Sequence, residues 1–155
     1  MTEKLKIQAW TDGSCLGNPG VGGYAAYMKA KDKEKHCCGY SANERETSPR
    51  MELYAVICVL DWVNKIQKEP CEIEINTDSE ILIKCSQHSD YSLIAPERKN
   101  HDLWLQYITK RDQGKHTIVW KKVPGHSDCE MNRKADKLAR EMAVKARHEV
   151  FDKRR

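Results

Sequence analysis

Apolar and polar residues alternate along LKIQAWT near the start of the chain, as in a strand with one buried face. The alternation stops at Asp12, and GSCLGNPG follows, a run of Gly, Asn and Pro that reads as a loop after the strand's end. GGYAAYMKA reads as a second strand and HCCGYSA as a third. The links between these strands are too short for parallel crossovers, so an antiparallel meander is predicted. The period then changes. In SPRMELYAVICVLDWVNKI, apolar residues at 51, 54, 55, 58 and 62 follow helical spacing. Leu53, Val56, Ile57, Val59 and Leu60 make the remaining faces apolar as well, which predicts a central, buried helix. Ser48 suits its N-cap and Pro49 its first helical position. EPCEIEINTD alternates again, a fourth strand ending at Asp78. SEILIKCSQ predicts a short helix, and residues 86–100 read as loop. HDLWLQYITKR predicts a helix with Leu103, Trp104 and Tyr107 on one side, and KHTIVWKKV a fifth strand. After the loop VPGHSD, CEMNRKADKLAREMAVKA predicts a long helix with an apolar stripe of Ala135, Leu138, Ala139, Met142 and Ala146.

Three strands followed by strands alternating with helices predict an α/β fold, a five-stranded mixed sheet flanked by helices. With 155 residues, no internal repeat and no linker, the chain reads as a single domain over residues 1–155. A basic tail at about 147–155 is expected to fray.

Composition narrows the function classes. No apolar run approaches the roughly 18 residues needed to cross a bilayer. MTEKLKIQAW lacks the apolar core of a secretory signal, so a cytoplasmic protein with no membrane partner is expected. Seven cysteines occur without a CxxC pair or grouped histidines, which speaks for reduced thiols and against a zinc site. Cys37 and Cys38 should face opposite sides of their strand. A net charge of +4, from 27 basic and 23 acidic residues, permits a polyanionic partner without demanding one.

Four acids fit the pattern poorly as structural residues. Asp12 and Asp78 end strands, Glu52 falls in the first turn of the most apolar helix, and Asp136 lies beside the stripe of the last one. Each has a structural reading taken alone. Asp78 can cap a helix and Asp12 a turn; Glu52 can favour a helix N-terminus; Asp136 can pair with Arg133, Lys137 or Arg140. Brought together, ionised carboxylates repel, so a proton or a cation must lie among them. Oxygen ligands favour Mg2+ or Mn2+, and two such ions about 4 Å apart can activate water and stabilise the leaving oxygen of a phosphodiester.

TDGSCLGNPGVGGYAAY, RMELYAV, INTDS, and VPGH followed by NRKADKLA resemble, in order, the signature segments of type 1 ribonuclease H. The resemblance covers nearly the whole chain. It implies the ribonuclease H-like fold and a metal-dependent endoribonuclease that cuts the RNA strand of RNA–DNA hybrids, leaving 5′-phosphate and 3′-hydroxyl ends. It implies Asp12, Glu52, Asp78 and Asp136 as catalytic metal ligands for two Mg2+ ions, with Mn2+ as substitute. His126 takes the place of a histidine for proton transfer or product release. Gly13, Ser14, Cys15, Asn18, Thr47, Ser48 and Glu80 are the candidate substrate contacts, with Thr47 a candidate for a phosphate. The loop after Asp12 is expected to bring backbone N–H groups to the nucleic acid, while Gly22 and Gly23 suit a turn or bulge.

Three departures stand out. Ser48 and Pro49 occupy places where the family often has paired Asn, and Glu80 stands where Gln is common. KCSQHSDYSLIAPERKN is shorter than the family's basic, Trp-rich protrusion and lacks Trp. Weaker, more salt-sensitive hybrid binding than in the long form is expected. The basic tail, or Arg98 and Lys99, could replace part of the missing contact. A binding module of the same fold would be expected to lack some of the acids, yet all four positions are filled. A nuclease component of a reverse-transcription machine is the other alternative. Met1 just ahead of the first strand and an end soon after the last helix lead to the expectation of a free-standing protein; a monomer is expected.

Overall fold

A computed structural model describes residues 4–123 and 129–153. The chain begins with β1 (Leu5–Gly17), β2 (Gly20–Ala30) and β3 (Lys33–Glu46), followed by α1 (Ser48–Ile66) and β4 (Cys71–Thr77). It continues through α2 (Glu80–Ser86), α3 (Asp90–Leu93), α4 (His101–Gly114), β5 (Thr117–Lys122) and α5 (Glu130–Lys153). The sheet has five strands in the order β3-β2-β1-β4-β5. β1, β2 and β3 form the antiparallel meander, while β4 runs parallel to both β1 and β5. The mixed sheet predicted from the alternation of elements is therefore present.

Strand alternation sorts the two faces. Ile7, Ala9, Ala26 and Met28 point toward α1 and join Leu53, Val56, Leu60, Leu103 and Trp104 in the main core. Gly23 lies against Ala139 and Ala143, so α5 covers the opposite face of the meander. The central helix is buried as its all-round apolar pattern requires.

Several boundaries differ from the sequence reading. The segment after Asp12 is strand, not loop. β1 runs on to Gly17, Asp12 pairs with Ala25 inside it, and the turn is confined to Asn18 and a cis-bonded Pro19. Small residues are needed there because helices press on the strands, a tertiary cause that composition alone presents as a loop. The N-cap of α1 is Thr47, whose hydroxyl accepts from Arg50 N at 3.4 Å; Ser48 is the first helical residue and Pro49 the second. Glu52 consequently falls in the second turn, and the first turn holds no acid. A four-residue helix, α3, forms where a loop was read. α5 continues to Lys153 where fraying from about residue 147 was expected; Val150 and Phe151 border a cleft with Leu16, Pro19 and Val21. Among the described residues, no helix is long and apolar enough to cross a membrane.

Candidate active site

The acids come from four elements of the chain. Asp12 sits in β1 with its side chain on the α5 side, and its residue is 6% exposed. Glu52 comes from α1, Asp78 from the step between β4 and α2, and Asp136 from α5. Close backbone packing sets their spacing. A Cβ at Gly13 would lie 2.4 Å from Glu52 N, so only glycine lets β1 touch α1 where Glu52 departs. At Gly23, a Cβ would lie 2.3 Å from Ala143 N, and the same economy seats α5, which carries Asp136.

Burial and mutual repulsion hold the Asp12, Glu52 and Asp78 carboxyls protonated above their ordinary range. Asp12 is raised to about 8, first by burial, then by the charge of Asp78 and a side-chain hydrogen bond with Asp136. The Gly13 N–H, donating to Asp12 Oδ1 at 2.9 Å, offsets part of that shift. Glu52 rises to about 7, chiefly through burial, with Asp78 adding repulsion and the Ser79 hydroxyl holding the carboxylate in the other direction. Asp78 is also raised by burial and by Asp136. Asp136 bonds outward as well, accepting from Arg140 Nη2 at 3.0 Å, one of the partners foreseen for it.

Such a set of oxygen donors suits a hard divalent cation. Among the described residues, however, no group of three or more acid, His or Cys side chains stands as a finished metal site. These donors would hold such a cation only once the proton retained on Asp12 had left.

The candidate substrate contacts are less uniform. Gly13 and Ser14 are half-buried on β1, and Asn18 is exposed at the hairpin turn. The Cys15 thiol donates inward, to Glu46 O at 3.3 Å and Gly20 O at 3.6 Å. Thr47 spends its hydroxyl on the helix cap. Glu80 turns toward Lys122, whose Nζ donates to it at 2.8 Å, and the lysine holds its carboxyl below the usual range. His126 lies outside the described residues.

Sequence reasoning missed two supporting groups. Ser79 caps α2, accepting from Leu82 N at 3.2 Å, while its hydroxyl also serves Glu52. Its place directly after Asp78 was the available signal. Arg50 donates to Glu46 at 3.0 Å, to both oxygens of Asp102 at 3.0 and 2.9 Å, and to Asn100 at 3.2 Å. This fork ties the end of β3 and the start of α4 to the turn of α1 preceding Glu52. Its partners lie far away in sequence, so no local pattern shows them.

A mixed five-stranded sheet with helices on both faces and acids meeting beside its central strand defines an α/β domain of ribonuclease H-like architecture. The family model described as RNase H matches residues 4–144. Ribonuclease H of Campylobacter jejuni is 38% identical over 150 residues, covering 95% of this chain and 97% of the relative. Ribonuclease HI of Caulobacter vibrioides is 37% identical over 153 residues, covering 91% and 93%. This chain belongs to the ribonuclease H family. Solved structures agree in fold. The N-terminal RNase H domain of a Mycobacterium tuberculosis protein has a TM-score of 0.74 at 22% identity, covering 95% of this chain and 99% of that one. LC11-RNase H1, solved in complex with RNA/DNA hybrid, has a TM-score of 0.73 at 21% identity, covering 90% and 98%.

Proposed function

We propose that this protein is an endoribonuclease that hydrolyses the RNA strand of RNA–DNA hybrids, leaving 5′-phosphate and 3′-hydroxyl ends, and that it works as a cytoplasmic monomer. The observation that carries this reading is the buried Asp12 carboxyl, raised to about 8 among Asp78 and Asp136, in a chain 38% identical over 150 residues to a ribonuclease H. Relatives bearing that name, and a neighbour of the same fold solved with a hybrid, support the substrate.

Asp12, Glu52, Asp78 and Asp136 hold two Mg2+ ions in this reading, with Mn2+ as a substitute. Bound there, divalent ions supply charge neutralisation and Lewis-acid activation for phosphodiester hydrolysis. The protein's own groups prepare that state. The Gly13 N–H fixes one oxygen of Asp12, and the Ser79 hydroxyl steadies Glu52 in its ionised form. Asp12 would have to give up its retained proton for such ions to be held there. Gly13, Ser14 and Asn18 lie along the hairpin where a nucleic acid backbone would approach, and the RNA 2′-hydroxyl offers them both a donor and an acceptor. Ser48, relieved of the cap by Thr47, keeps its place as a contact. Cys15 and Thr47 position the hairpin and helix through their internal bonds rather than through substrate. His126 receives its proton-transfer or product-release role from the motif. Contacts of this kind read backbone and shape, so sequence preference is weak.

The test is incubation with labelled RNA–DNA hybrid, duplex RNA and duplex DNA, each with Mg2+ or with chelator. Cuts confined to the RNA of the hybrid, and dependent on Mg2+, are expected. Cleavage of duplex RNA at a matching rate, or undiminished cleavage in chelator, overturns the proposal.

A further inference from the structure

Strand alternation gives β2 and β3 a common face toward α1. On β2 that face carries Tyr24, Ala26 and Met28, and their partners on β3 are Gly39, Cys37 and Lys35. Tyr24 lies over Gly39, where a Cβ would sit 2.3 Å from its hydroxyl oxygen, and its ring stacks on Tyr54 of α1 with centroids 5.4 Å apart. Tyr54, Cys58 and Trp62 follow at four-residue steps along one stripe of that helix. One turn beyond Tyr54, α1 therefore presents Cys58 where β3 presents Cys37, and the two thiols are hydrogen-bonded to each other.

Both thiols are free and half-buried, and Cys37 packs against the main core. Their contact polarises them. The hydrogen bond from Cys37 holds the Cys58 thiol below its usual range against burial and the charge of Asp61, with Lys65 adding to it. The same bond, together with burial, pushes the Cys37 thiol up. A cysteine packed only as a small apolar group is raised by burial, as Cys71 is, to about 11. Cys38 is exposed on the opposite face of β3, within range of the charge of Lys145 on α5.

The geometry points to Cys37 and Cys58 as an oxidation site, at which a peroxide closes a reversible disulfide between the edge strand β3 and the central helix. The Cys58 thiolate attacks one oxygen of hydrogen peroxide and becomes a sulfenic acid, and the displaced hydroxide takes up the proton that Cys58 had lost. The Cys37 sulfur then attacks the Cys58 sulfur, and the sulfenic hydroxyl leaves as water with the proton of the Cys37 thiol. Two thiols lose two electrons, and one peroxide is reduced to two waters. A dithiol reductant reverses the step and is itself oxidised to a disulfide. The bond closes a loop over residues 37–58 that contains the Thr47 cap, Arg50 and Glu52, so it staples to β3 the helix that carries one acid of the site.

The test treats the wild-type protein with hydrogen peroxide, alkylates the remaining thiols and reads tryptic peptides by mass spectrometry. HCCGYSANER and MELYAVICVLDWVNK are expected as one linked pair that dithiothreitol separates. Cys37 and Cys38 share the first peptide, so variants assign the bond. Cys38→Ser should keep the link, while Cys37→Ser and Cys58→Ser should each lose it. The oxidised wild-type protein should melt at a higher temperature than the reduced protein, and dithiothreitol should remove the difference. A bond between Cys37 and Cys38, a link that persists in Cys58→Ser, or sulfinic acid on Cys58 with no linked pair overturns the proposal.

Discussion

Asp12 concentrates the electrostatic problem that the fold creates. Its carboxyl is nearly inaccessible to water, bonded to Asp136 and facing Asp78, so its proton is retained up to about pH 8. Linkage fixes the consequence for stability. In chelator, the folded state holds protons on Asp12 and Glu52 that the unfolded chain has already lost above their ordinary values of 3.8 and 4.5. Their contribution to stability is therefore full below pH 4 and declines as pH rises toward 8. A thermal-melt series in chelator should show this part of Tm falling across that window, and added Mg2+ should recover the loss most strongly at pH 8. Asp12→Asn keeps a hydrogen-bonding group while removing the charge. It is expected to stabilise the metal-free protein at pH 8 by roughly 1–3 kcal/mol, about 2–12 °C in Tm, and to abolish hybrid cleavage. A Tm unchanged from wild type at pH 8 would show that Asp12 bears no such strain.

At the scale of the element, glycine does what the sequence pattern disguises. Gly13 and Gly23 are the points where β1 meets α1 and β2 meets α5. Gly13→Ala places a methyl against the backbone of Met51 and Glu52, which a helix can relieve only by moving. A loss of about 2–4 kcal/mol in urea unfolding is expected, together with slower hybrid cleavage as Glu52 shifts. Arg50→Ala should cost roughly 1–3 kcal/mol in the same measurement, because Glu46 is only 4% exposed and loses its partner. These two cases also mark what was legible. The helices α1, α4 and α5 follow from apolar spacing because burying one face or several is a local demand on sequence. The Gly-rich strand was illegible because close helix contact and chain reversal call for the same residue types. The cap shifted by one place because Thr47 and Ser48 can both accept from the first turn, and Arg50 was invisible because Asp102 lies in another helix.

For the whole molecule, topology does the assembling. The crossover through α1 lays β4 beside β1, which brings Asp78 toward Asp12, and α5 returns across the meander with Asp136. Spacing along the chain could flag four awkward acids, but only the family resemblance grouped them before the fold was seen. Substrate binding is also a property of this scale. The segment that stands for the family's protrusion folds here as α3 and a loop, with Arg98 bonded to Ser92 O at 3.0 Å. Phosphate contacts then fall to fewer basic groups. Deleting residues 147–155 is expected to weaken hybrid binding several-fold at low salt and to flatten the dependence of log K on log salt. Unchanged affinity would remove that basic end from the binding surface.

In the proposed reading, carboxylates from four elements would form one cation site, and protons held there would have to leave before metal entered. Calorimetric titration of Mg2+ at pH 7, in buffers of different ionisation enthalpy, counts those protons directly. Wild-type protein should release protons as Mg2+ binds, and Asp12→Asn should bind more weakly with less release. Mg2+ binding that releases no proton, or that is identical in Asp12→Asn, contradicts the account.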